Sequence, residues 1–269
     1  MTHRAIGVDG CRGGWVVVRL EQGALARVAV IDTLTELLDE DGGWPEVPVA
    51  VDIPIGLLNA DREADTAARR ALKGRAASVF SAPPRVVVDG YLDGTITEHA
   101  AASAAAVAAT GKGLSMQSWR IVPKIAEADR LFAAGHPLLE VHPELAFATA
   151  AGEVLPRKAS WPGIATRRAL LAALGIDLPD RFPGDERTAP DDVVDAAMCA
   201  WVADGAARGE SLRTYPEHPS QRDRGRPIAI HARRPLRPEV GRPTPGTAPR
   251  WQGGGRSGGH GPGTPEPAD

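Results

Sequence analysis

The first fifth of the chain is a series of short apolar runs divided by turn signals. Residues 4 to 9 alternate weakly and end in Asp9-Gly10, which predicts a strand and a turn. Trp15-Val16-Val17-Val18-Arg19-Leu20 is rich in β-branched residues and predicts a second strand. Gln22-Gly23 is a turn signal, so Leu25 to Ile31 predicts the third strand of a meander. Thr33 and Glu36 have the spacing of a capping box for a short helix, Leu34 to Asp39. Residues 47 to 53 predict a fourth strand, and a helix before it allows it to lie parallel to the first.

Helical spacing then takes over. Charges and alanines alternate from Asp61 to Leu72, residues 74 to 85 are loop-like, and residues 95 to 109 predict an alanine-rich helix. Residues 112 to 123 predict a loop, 124 to 134 a helix and 137 to 142 a fifth strand. Residues 166 to 174 are amphipathic, with Gly175 as a stop, and residues 191 to 207 predict the last helix, acidic at its start as the helix dipole favours. From about residue 231 Pro, Gly and Arg dominate, and such a segment buries too little to offset its ordering entropy. The expected organisation is one α/β domain over residues 1–230, with a helical insertion at about 60–135 and a disordered tail over 231–269. A translated frameshift in a GC-rich gene is the bland alternative for the origin of that tail.

Composition narrows the class only a little. Hydrophobic content of 43% and charged content of 24% are those of an ordinary globular protein. A net charge of −3 argues against a broadly basic nucleic-acid coat but leaves room for a local basic groove. Two distant cysteines, Cys11 and Cys199, read as reduced thiols. The N-terminus runs directly into the first strand, which leaves no room for a signal peptide, and no apolar stretch approaches the roughly 20 residues of a membrane span. The expectation is a cytoplasmic protein without a membrane partner.

The chemistry lies in the carboxylates at element ends. Asp9 closes the first strand and is followed by small residues that let a phosphate or metal approach the backbone. Asp52 closes the fourth strand, just before Pro54 and Gly56. Asp192 and Asp195 are spaced to share one face of the last helix. Each has an ordinary alternative: a hairpin turn for Asp9, a turn or cap for Asp52, a helix cap for Asp191 or Asp192. Capping does not account well for Asp195, which stands among apolar neighbours. Together the four suit phosphoryl chemistry with two Mg²⁺ or Mn²⁺ ions. Glu140 and His142 alternate on one face of the predicted fifth strand, and His142 could shuttle protons, although a histidine at a strand end is more often structural. Arg12, Arg75, Ser78, Ser81, Arg85, Lys112, Ser115, Gln117, Trp119 and Lys124 offer cations, hydroxyls and a stacking surface to a nucleic-acid or nucleotide substrate. Their alternative is a solvated loop with Trp119 as a core anchor.

The element order, with an aspartate in the first strand, an acid ending the fourth and Asp-x-x-Asp-Ala on the last helix, resembles the RuvC branch of the ribonuclease H-like fold. More closely, Gly7-Val8-Asp9-Gly10-Cys11-Arg12-Gly13-Gly14-Trp15, Val51-Asp52-Ile53-Pro54-Ile55-Gly56-Leu57, Gly74-Arg75-Ala76-Ala77-Ser78-Val79-Phe80, Glu140-Val141-His142-Pro143-Glu144 and Asp195-Ala196 resemble domain-of-unknown-function family 429 over about residues 4 to 230. Members of that family are called predicted ribonuclease H-like nucleases. The resemblance implies a mixed sheet of strand order 3-2-1-4-5 flanked by helices, and a metal-dependent nuclease or phosphodiesterase with the acids at Asp9, Asp52, Asp192 and Asp195. The first-helix glutamate of ribonuclease H does not carry over, since neither Glu36 nor Glu40 lies in a recognisable motif. Two other readings stand beside it. A phosphotransferase of the actin and sugar-kinase type needs a Gly-rich adenosine loop and usually a duplicated core, and the sequence has neither. A non-catalytic interaction module would use the same acids as caps.

Overall fold

β1 (Arg4–Cys11), β2 (Gly14–Glu21) and β3 (Ala24–Ile31) form the expected antiparallel meander. The chain passes through α1 (Glu36–Glu40) into β4 (Val49–Val51), which lies parallel to β1. Four helices follow, α2 (Glu63–Ala71), α3 (Arg85–Leu92), α4 (His99–Thr110) and α5 (Met116–Ala133), before β5 (Leu138–Glu140) pairs parallel to β4. The five strands have the order β3-β2-β1-β4-β5, the mixed sheet of the expected strand order. The chain continues through α6 (Pro143–Ala151), α7 (Trp161–Ala173) and α8 (Pro190–Ala207). The described residues close with four short strands, β6 (Arg213–Tyr215), β7 (Arg222–Asp223), β8 (Arg226–Pro227) and β9 (Ile230–Ala232). This computed structural model describes residues 3–40 and 47–234.

Strand alternation separates the two faces of the sheet. Ile6 and Val8 of β1 pack with Trp15, Val17, Val49, Val51 and the α5 residues Ile125 and Ala128. On the other face Ala5, Val16, Val18 and Ala50 pack against α8. Every α8 residue from Val193 to Gly205 is buried, as expected of a central helix that is apolar on most sides. Gly7 makes this layer possible. A Cβ at Gly7 would overlap the Ala196 carbonyl oxygen and the Ala200 backbone nitrogen of α8, so only glycine lets the helix lie this close to β1.

Several expectations need correction. α5 starts at Met116 and runs through Pro123, where a loop over residues 112 to 123 is expected. Ser115 caps it by accepting from Ser118 N–H, and burial of Val122, Ile125, Ala126 and Leu131 outweighs the missing proline donor. β4 and β5 are shorter than the apolar runs that contain them. β5 ends early because His142 caps α6, a helix marked in the sequence by Pro143 at its first turn and Gly152 just past its end. α3 also falls where no element is expected, and α7 begins earlier, at Trp161 behind its cap Ser160.

The ordered fold also runs past Ile230. His231 and Ala232 pair with Thr214 and Arg213, and Arg233 is buried against Asp204, Glu210 and the Trp201 ring. The remainder of the expected tail lies outside the described residues.

Two predictions follow from this packing. Gly7→Ala should destabilise the protein by about 3 kcal/mol or more, because a rigid strand and a rigid helix must part. An unchanged denaturation midpoint would show that the contact is looser than described. Ending the chain after Ile230 removes a buried cation from Asp204, at about 3 kcal/mol, and should lower Tm by roughly 6–12 °C. A chain ending after Arg234 keeps those contacts and is expected to melt near the full-length value, so equal losses in the two truncations would point away from Arg233.

Candidate metal centre

The same alternation brings two carboxylates to the α8 face. Asp9 follows Ala5 and Gly7 on β1, and Asp52 follows Ala50 immediately past β4. Asp52 N–H donates to Val8 O at 3.0 Å, so the two side chains leave adjacent parallel strands side by side. Asp195 stands on α8 next to Ala196, whose carbonyl lies against Gly7. One carboxylate oxygen from each of Asp9, Asp52 and Asp195 lies within 4.8 Å of the others.

These are costly groups to place together. Asp195 is 1% exposed and Asp9 8%, while Asp52 is partly buried. Burial is the largest cause of the shift in each case. It drives the Asp9 carboxyl well above its usual range, with the charges of Asp52 and Asp195 adding to the effect. Asp52 and Asp195 are both pushed up to about 7. Asp195 Oδ2 accepts from Lys158 Nζ at 2.6 Å, whereas Asp195 Oδ1 is buried without a hydrogen-bond partner. Hard oxygens, excess negative charge and an unpartnered buried oxygen fit a hard divalent cation.

The other expected acids serve elsewhere. Asp192 Oδ2 accepts from Ala189 N–H at 3.0 Å and caps α8, so it stands beside the cluster without joining it. Glu140 is turned into an internal ion pair with Arg62 and accepts from Ile55 N–H at 2.7 Å. That pair ties the end of β5 to the loop after β4. His142 has both ring nitrogens engaged, Nδ1 accepting from Leu145 N–H at 3.3 Å and Nε2 donating to Ser78 O at 3.2 Å. Its pKa is lowered, chiefly by burial.

The expected substrate-binding residues do not form one surface. Arg12 and Gln117 are exposed. Arg75 donates to Leu155 O at 2.9 Å, and the Ser78 hydroxyl donates to Arg75 O at 2.8 Å. Ser81, Lys112 and Ser115 line a cavity of about 430 Å³ whose wall includes none of the three clustered aspartates. Lys112 pairs with Asp61 there, and Arg85 is held by Asp129 and Asp223. Trp119 stands edge-on to Tyr91 at 6.2 Å and packs in a small core of α3, α4 and α5. Lys124 lies against β1 beside Gly10: its ammonium donates to Gly14 O, sits 4.1 Å over the Trp15 ring, and has a pKa lowered chiefly by burial.

Lys158 is the residue the sequence reading misses. It comes from the loop between α6 and α7 and contacts Asp195 and, at 3.4 Å, Asp191. A Cβ at Gly163 would overlap the Arg157 carbonyl oxygen, so glycine there lets the loop fold onto the start of α7. Ser160 ahead of Trp161-Pro162 marks that helix start in the sequence, yet nothing local ties Lys158 to the acids. Three residues further on, Trp161 is 87% exposed.

Two solved structures of Thermus thermophilus RuvC align with the chain. One is in complex with a Holliday junction substrate, at 13% identity over 77% of this chain and 96% of that one, with a TM-score of 0.33. The other is RuvC alone, at 16% identity, the same coverage and the same TM-score. No curated protein matches the chain. A family model does: residues 7–221 match "Protein of unknown function (DUF429)", and the chain belongs to that family.

Proposed function

We propose that this protein is a metal-dependent phosphodiester hydrolase, acting on nucleic acid. The observation that carries the reading is the convergence of Asp9, Asp52 and Asp195 on one face of a ribonuclease H-like sheet, with Asp195 Oδ1 buried and unpartnered. The three carboxylates would hold a divalent ion, Mg²⁺ or Mn²⁺. When bound, the ion supplies positive charge to a water and to the phosphate it attacks. The chain contributes position and a low-dielectric surround. β1, β4 and α8 fix the carboxylates before substrate arrives, so no reorganisation is needed during reaction. Lys158 holds Asp195 in one orientation and adds positive charge at the mouth. Exposed Trp161, on the segment that carries Lys158, offers a face on which a base can stack.

Wild-type protein should cleave single- or double-stranded oligonucleotides only when Mg²⁺ or Mn²⁺ is present. Asp9→Asn keeps the shape and removes a charge, and should cost at least about 100-fold in rate, about 2.7 kcal/mol. Full cleavage by that variant, or none by wild type with any oligonucleotide, would contradict the reading. Trp161→Ala should weaken oligonucleotide binding by about 1–3 kcal/mol per stacked base without changing binding of Mn²⁺. Undiminished oligonucleotide affinity would show that no base stacks on Trp161.

The pH dependence has a definite sign. Burial pushes the carboxyls of Asp52 and Asp195 up to about 7 in the folded protein, above the ordinary aspartate value of 3.8. Between those values the folded state binds more protons than the unfolded chain, so this contribution to stability is greatest in acid and is lost as pH rises through about 7. A divalent ion binds the ionised carboxylates and opposes that loss. The rise in Tm on adding Mn²⁺ should therefore be larger at about pH 8 than at about pH 5.5. An equal rise at both would mean that the ion binds elsewhere.

A further inference from the structure

We propose that the Lys158 ammonium takes the place of a second divalent cation, so that Asp9, Asp52 and Asp195 accept a single ion beside it. The proposal rests on the metal-dependent reading of this site and replaces the expectation of two ions.

The argument begins with the donor set. Three carboxylates contribute one oxygen each to a cluster compact enough for one ion. A pair of ions is usually flanked and bridged by more carboxylate than this. The neighbouring acids are engaged elsewhere. Asp192 caps α8, Glu140 is paired with Arg62, and Glu144 is held by Arg167 Nη2 through both its oxygens at 2.8 Å. Asp191 is half-buried at the rim and faces Lys158 itself.

The charges point the same way. Ionised, as metal binding requires, the three carboxylates carry three negative charges, and Lys158 supplies one positive charge at 2.6 Å from Asp195 Oδ2. With Asp191 at the rim counted as well, one divalent ion leaves a single negative charge on the group, whereas two would leave an excess of positive charge beside an ammonium. The oxygens of Asp195 divide accordingly. Oδ2 is taken by the ammonium and Oδ1 is buried with no partner, which leaves one coordinating position on that residue. The lysine reaches this point from a loop whose geometry is set separately, by the Ser160 cap and the close approach at Gly163.

The test uses the full-length chain and Mn²⁺ alone, at about pH 8 so that the carboxylates are ionised. Equilibrium dialysis counts the ions, and electron paramagnetic resonance distinguishes an isolated ion from an exchange-coupled pair. Wild type should bind one Mn²⁺ with the spectrum of an isolated ion, and Lys158→Arg, which keeps the charge, should do the same. Lys158→Met should bind two, with a coupled spectrum. Two coupled ions in wild type would overturn the proposal while leaving the metal-dependent reading intact. No bound ion in wild type would overturn both. A single ion in a folded Lys158→Met variant would also overturn it. If that variant does not fold, the wild-type count and spectrum decide the matter.

Discussion

The approach of α8 to β1 at Gly7 is the constraint on which the rest of the molecule depends. Backbone meets backbone there, with the Ala196 carbonyl and the Ala200 nitrogen where a side chain would otherwise stand. The contact sets the depth of the helical layer and buries α8 from Val193 to Gly205. It also fixes where Asp195 lies, one residue before Ala196. Since Asp9 is two residues beyond Gly7 on the same strand face, one close approach positions both ends of the cluster. Packing and site geometry are thus a single feature here. A protein interior deforms little, so loosening the contact would move the carboxylates apart as well as weaken the fold.

The cluster is electrostatically unfavourable by itself. Burial raises the pKa of all three aspartates, and an oxygen of Asp195 lacks any partner. Other buried acids of the same protein are treated differently. Glu140 meets Arg62, Glu144 meets Arg167, and Asp204 meets Arg208 and Arg233. These pairs satisfy their charges and lock loops or helix ends to the sheet. Against that background the cluster has one ammonium, paired with Asp195 and also with Asp191, which is the imbalance expected where a cation is to be bound.

Much of this is legible along the chain because the relevant signals are local. The apolar runs, the Gln22-Gly23 turn and the acidic start of the last helix each announce their own element, and their order leads to the sheet. Asp9, Asp52 and Asp195 can be picked out because each occupies an element end or an apolar surround where a charge is out of place. What is not legible depends on partners distant in sequence. Glu140 looks like a site residue until Arg62, 78 positions away, takes its carboxylate. Lys158 lies 37 positions from Asp195 in a segment without periodicity. Pro123 reads as a helix breaker, and only the packing of the residues around it keeps α5 intact. Ile230 reads as the end of the ordered chain because the partners of Arg233 lie at Trp201, Asp204 and Glu210.

The most direct test is a crystal of the full-length protein grown with Mn²⁺, examined for anomalous scattering from the metal. The account predicts a peak enclosed by Asp9, Asp52 and Asp195, within ordinary ligand distance of Asp195 Oδ1. Mn²⁺ found only at other carboxylates, with Asp195 Oδ1 still without a partner, would contradict it.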